Sequence, residues 1–137
     1  MSPLSVLSGI HWLPVLAASV ASFAVGGLWY SMPLFGKMWA SENKLTAKKI
    51  GQANRAVIFG LTFLLTLVGA VVMDLVIGPQ GTLKTGIATG LVIGVVFIGG
   101  SFGINYLFSR KSLKLFLIDA WYFTVLYLVM GVILGAW

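Results

Sequence analysis

Four apolar runs, each long enough to cross a bilayer and each closed by glycine, proline or basic residues, leave this chain few ways to fold. They cover about residues 10–30, 56–77, 85–108 and 115–137. A helix of about 20 residues, rising ~1.5 Å per residue, crosses ~30 Å of hydrocarbon. In that solvent a segment must satisfy its own backbone hydrogen bonds, so each run is expected to be a helix. The expected fold class is all-α: an integral membrane four-helix bundle forming one domain over residues 1–137. Composition agrees, because 59% of the chain is hydrophobic and 9% charged, whereas soluble domains carry about 25% charged residues. So little polar surface cannot cover a water-facing globule of 137 residues, and lipid must be the solvent for much of the chain.

Small residues mark where the helices should touch. In the first run Ala18, Ser22 and Gly26 recur at four-residue spacing. In the third run Gly86, Gly90 and Gly94 do the same, followed by Gly99 and Gly103, which reads as two small-residue stripes. Gly131 and Gly135 form a further pair in the fourth. In a membrane, where lipid gives helices no hydrophobic push toward one another, such stripes allow close backbone approach and van der Waals contact.

The connections differ sharply in charge. Residues 1–8 carry no Lys or Arg, so the basic start of a cleaved leader is missing and the first run is expected to persist as a span. Residues 31–55 form the long polar connection, in which Leu34, Phe35, Met38 and Trp39 share one side of a helical turn, suiting a short interfacial helix. Thr46 reads as the N-cap of a helix that starts near Ala47 and continues into the second span. Gly78-Pro79-Gln80-Gly81 breaks the chain after that span. The first and third connections carry Lys37, Lys44, Lys48, Lys49, Arg55, Arg110, Lys111 and Lys114, and the second carries only Lys84. The positive-inside rule then puts the basic loops in the cytoplasm and both termini outside, in a prokaryotic cytoplasmic (inner) membrane. That asymmetry accounts for the net charge of +6 without nucleic acid, since no compact basic patch with stacking aromatics is present.

Few residues are left to carry chemistry. His11 and Asp74 sit at similar depth near the outer ends of spans one and two, either as a pair or as two groups that meet headgroup water. Thr62, Thr66, Ala70 and Asp74 share one face of span two, and the threonine hydroxyls either return to their own backbone or line a path. Near the inner end Asn105 and Asp119 are expected to face each other across a short loop, with Arg55, Arg110 and Lys111 at the same level. Asp119 then either pins spans three and four through a salt bridge or helix N-terminus contact, or serves as a cation or proton site. Trp29, Tyr30, Trp39, Tyr106, Trp121 and Tyr122 near the inner boundary, with Trp12 and Trp137 near the outer one, form an aromatic belt. Cysteine is absent, there is one histidine, and no nucleophile-base pair, metal-ligand spacing or phosphate loop occurs. No enzyme activity, cofactor or metal is expected.

Gly27-Leu28-Trp29-Tyr30-Ser31, Pro33-Leu34-Phe35-Gly36-Lys37-x-Trp39, Asn105-Tyr106-Leu107-Phe108 and Leu115-x-Leu117-Ile118-Asp119-Ala120-x-Tyr122 carry a resemblance that covers nearly the whole chain. In these motifs it resembles the small prokaryotic membrane proteins of the domain of unknown function 1761 family. The resemblance implies four spans and brings no reaction, ligand or catalytic residue with it.

Three roles follow as expectations. The first is a homo-oligomeric channel or transporter for a small solute or ion, motivated by glycine faces on several helices and polar residues within spans. The second is an accessory or scaffold subunit packed against another membrane protein. The third is a lipid or hydrophobic-ligand binder using the aromatic inner rim and basic loops. The expected partners are membrane lipid, a second copy or another membrane protein.

Overall fold

The computed structural model describes residues 2–137. Its elements are α1 (Pro3–Ser8), α2 (Trp12–Trp29), α3 (Gly36–Glu42), α4 (Ala47–Gly51), α5 (Arg55–Ile77), α6 (Leu83–Leu91), a π-helical segment (Val92–Gly99), α7 (Gly100–Ser109) and α8 (Leu113–Ala136). Among the described residues there is no strand. Four helices are long and apolar enough to span a membrane: α2, α5, the continuous α6–π–α7 rod over Leu83–Ser109, and α8.

Local chemistry sets where these helices start. Asn54 Oδ1 accepts the Val57 amide at 3.2 Å before α5, Ser112 Oγ accepts the Leu115 amide at 3.0 Å before α8, and Thr82 with Thr85 forms a reciprocal capping box before α6. Each satisfies amides that a helix start leaves orphaned. Thr46 does cap a helix beginning at Ala47, but α4 stops at Gly51 and α5 restarts behind Asn54. The expected continuous entry into span two is thus replaced by a break, because Asn54 supplies a second cap. The interfacial segment also starts later than the motif suggests: Ser31–Phe35 forms a tight turn, with Gly36 N–H donating to Ser31 O at 2.9 Å, before α3 begins.

The fourth span is the axis of the bundle. It packs against α2, α5 and α6, and half of its apolar stretch is buried, whereas only 11% of span two's is. The core is Val15 and Ala18 of α2, Ala70 and Met73 of α5, and Tyr122, Leu126, Met130 and Leu134 of α8. Apolar side chains such as Leu65, 71% exposed, cover the outside, as expected for helices solvated by lipid.

Glycines let span three lie against span four. A Cβ on Gly86 would run into the Gly131 carbonyl, one on Gly90 into the Tyr127 carbonyl, and one on Gly94 would fall 2.7 Å from Thr124 Cα. Gly135 is held equally close, with its Cβ position 2.5 Å from Thr82 O. The π segment then alters the expected pattern of two stripes. A π turn carries about one residue more than an α turn, so after the five-residue step from Gly94 the next small residue, Gly99, lines a cavity beside α8 without touching it, and Gly103 lies opposite Phe116. The third span therefore carries one bent stripe.

Candidate functional site

The two in-span carboxylates lie at opposite ends of the bundle. At the end holding the termini, Asp74 is 6% exposed and its Oδ2 accepts the His11 backbone amide at 2.9 Å. His11 Nδ1 lies 3.1 Å from Asp74 Oδ1. His11 is the residue before α2 and has no side-chain cap of its own. Asp74 thus caps a neighbouring helix from across the bundle, placing negative charge at the positive end of α2. Among the described residues no other basic side chain lies within salt-bridge distance of a carboxylate.

At the end holding the basic loops, Asp119 is likewise 6% exposed. The Tyr30 hydroxyl donates to its Oδ1 at 2.6 Å, and the Tyr106 hydroxyl makes a short hydrogen bond to its Oδ2. Trp29 Nε1 donates to the Ile118 carbonyl at 3.1 Å beside it. One carboxylate therefore ties the ends of spans one and three to the start of span four. The turn at Ser31–Gly36 follows directly after Tyr30, and a Cβ on Gly36 would fall 2.9 Å from Ser31 O. Around this point Tyr30 packs on Tyr122 and Trp39, and Phe102 stacks on Phe123.

This arrangement corrects the pairing expected for Asn105. Its side chain is exposed and makes no hydrogen bond among the described residues, while the next residue, Tyr106, faces Asp119. Arg55, Arg110 and Lys111 are all exposed and none pairs with Asp119, so two hydroxyl donors take the place of a salt bridge. Thr62 is exposed, and Thr66 Oγ1 donates to the Thr62 carbonyl at 2.7 Å within its own helix. Between the two carboxylates the bundle is filled by Val15, Ala18, Leu126 and Met130, each at most 3% exposed. Ser22 Oγ is buried there without a hydrogen-bond partner. No group of three His, Cys, Asp or Glu side chains is placed to hold a metal among the described residues.

The packed stripe leaves a groove at its basic end. Below Gly94 the two rods part, opening a cavity of about 350 Å³ floored by Gly99, Gly100 and Gly103 and walled by Phe116, Leu117, Ala120 and Trp121. It meets a second cavity of about 580 Å³ at Gly103 and Phe116, bordered by Tyr106, Leu107, Arg110, Lys111 and Ser112. The two form one open-sided groove, apolar along its length and cationic at its mouth. Tyr106 belongs both to that mouth and to the Asp119 cradle.

Sequence reasoning reached the acids through the cost of burying them and paired Asp74 with His11, but it missed the tyrosine donors to Asp119 and the groove. The available signals were tyrosines at the depth of Asp119, at positions 30 and 106, and the unequal step between Gly94 and Gly99.

No curated protein and no solved structure matches the chain. The family model described as "Protein of unknown function (DUF1761)" matches residues 13–135, nearly the whole bundle from α2 to α8, and the chain belongs to that family.

Proposed function

We propose that this protein is a non-catalytic binder that takes an amphiphile from the bilayer into the groove between spans three and four. In this reading it resides in a prokaryotic inner membrane, with its basic loops in the cytoplasm and both termini outside. The observation that carries the proposal is the groove itself: an apolar trough with a backbone floor, open to lipid on one side and ending among basic residues. Binding pockets are mostly apolar and use a few polar groups to orient the ligand. Transport through a homo-oligomer has less support, because the stripe that would build one, Gly86, Gly90 and Gly94, lies against the chain's own fourth span. A filled interior and an in-span carboxylate, Asp119, engaged by two hydroxyls also favour holding over conduction.

The test uses the groove-filling variant Gly100→Leu, since a Cβ at Gly100 meets nothing within 4 Å. Wild-type protein released from lipid nanodiscs into a mass spectrometer should retain bound lipid, and the variant should lose most of it while keeping its helical content. Equal retention by both proteins, or none by either, defeats the proposal.

A further inference from the structure

The mouth of the groove has a chemistry that its apolar length lacks. Arg110 ends α7 in the left-handed region, at φ 58 and ψ 37, a position where helices commonly place glycine. A strained non-glycine residue at a cavity is a reason to ask what its side chain does there. Lys111 follows directly, and its amide donates to Tyr106 O at 3.0 Å. Ser112 Oγ accepts the Leu115 amide, which leaves its own O–H free to donate. Behind Ser112 begins α8, whose N-terminal end carries positive partial charge.

This positive charge has no local partner. The chain holds three acidic residues. Asp74 lies at the other end of the bundle with His11, Asp119 has each oxygen engaged by a tyrosine hydroxyl, and Glu42 belongs to α3. None is ion-paired to Arg110, Lys111 or Lys114 among the described residues. The groove's length is also informative. From Arg110 back to Gly99 is eleven residues, about 16 Å of helix rise, which matches half of the ~30 Å hydrocarbon layer. The trough therefore runs about one leaflet deep, with its cationic end at headgroup level.

We infer that the groove binds one anionic phospholipid, its phosphate held by Arg110, Lys111 and the Ser112 hydroxyl and one acyl chain laid along Gly103, Gly100 and Gly99. This inference rests on the binder reading above and adds the ligand class to it. Arginine and lysine hold phosphate oxygens through charge-assisted hydrogen bonds, and each basic residue near an anionic headgroup adds attraction that a zwitterionic lipid does not return. The glycine floor lets a methylene chain rest on backbone, where any larger side chain would fill the trough.

The experiment uses the full chain in nanodiscs of phosphatidylcholine mixed with an equal amount of phosphatidylglycerol, read by native mass spectrometry. Wild-type protein should retain one lipid per chain with phosphatidylglycerol favoured about tenfold or more, as two cationic contacts imply. Arg110→Gly combined with Lys111→Gln should erase that preference while a lipid is still retained. The fold should survive, because glycine suits the left-handed position at 110. Lys48→Gln with Lys49→Gln, basic residues away from the groove, should leave the preference intact. Equal retention of the two lipids, or a preference that falls as much with the Lys48 and Lys49 changes, overturns the inference while lipid loss in Gly100→Leu keeps the binder reading standing. A protein dimer released in place of a lipid-bound chain, or no retained lipid at all, overturns both.

Discussion

Asp119 organises the basic end of the bundle because a carboxylate taken out of water needs donors and finds them on two other helices. Hydrogen bonds to a charged group are worth about 1.5–3 kcal/mol each. Tyr106→Phe and Tyr30→Phe should therefore each lower stability by about 1–3 kcal/mol, as read by unfolding in a denaturing detergent. In a double-mutant cycle, Tyr106→Phe combined with Asp119→Asn should cost clearly less than the two changes summed. Strict additivity would mean that the hydroxyl and the carboxylate do not act together. Asn105→Ala, at an exposed position, should change stability by less than about 0.5 kcal/mol. A penalty as large as that of Tyr106→Phe would return the amide to the cradle. The sequence identifies Asp119 as a group in need of partners, yet it cannot say which neighbour supplies them. Tyr106 and Asn105 are adjacent in sequence but about 100° apart around a helix, and only the packed bundle decides which of them faces span four.

The third span shows how an element keeps one face while its local geometry changes. Read with a uniform 3.6-residue period, Gly94 and Gly99 lie on different sides and the glycines split into two stripes. The π turns between them absorb the extra residue, and the stripe continues. Deleting one residue inside that segment, such as Val96, should turn it into ordinary α-helix and preserve both the Gly86–Gly94 contact and the Tyr106 bond to Asp119. Deleting Ala88, within the α-helical part, should rotate one set of glycines out of the interface and cost most of the fold. Similar losses from both deletions would show that the π segment is not what keeps the stripe in register. Substitution gives an independent check on the same interface. Gly90→Ala drives a methyl into the Tyr127 carbonyl and should cost about 1–3 kcal/mol as an overpacked contact. Gly100→Ala, which meets open space, should be neutral or stabilising by up to about 1 kcal/mol through helix propensity. The helices and their small faces are legible in the sequence because hydrocarbon leaves few alternatives. The groove is not, because it exists only where two rods diverge.

Across the whole molecule, charge and packing are distributed along different axes. Packing runs sideways: α8 is the most covered of the four spans, while α5 leaves most of its surface open, so the most hydrophobic span is also the least covered. Charge runs along the membrane normal, with eight of the nine basic residues in the two connections at one end. Lys84 stands apart at the other end, beside the Thr82 cap and near the C-terminal Gly135. Both the orientation and the proposed leaflet of the lipid depend on this second axis, because a cationic mouth selects anionic headgroups in the leaflet where the basic loops lie. The chain contains no cysteine, so single cysteines can report each end without background. Lys48→Cys and Lys111→Cys should resist a membrane-impermeant thiol reagent in intact cells and react once the membrane is opened. Gln80→Cys, in the turn after span two, should react from outside at once. Outside labelling at position 48 or 111 would invert the molecule, move the groove to the outer leaflet and require that its anionic lipid be sought there.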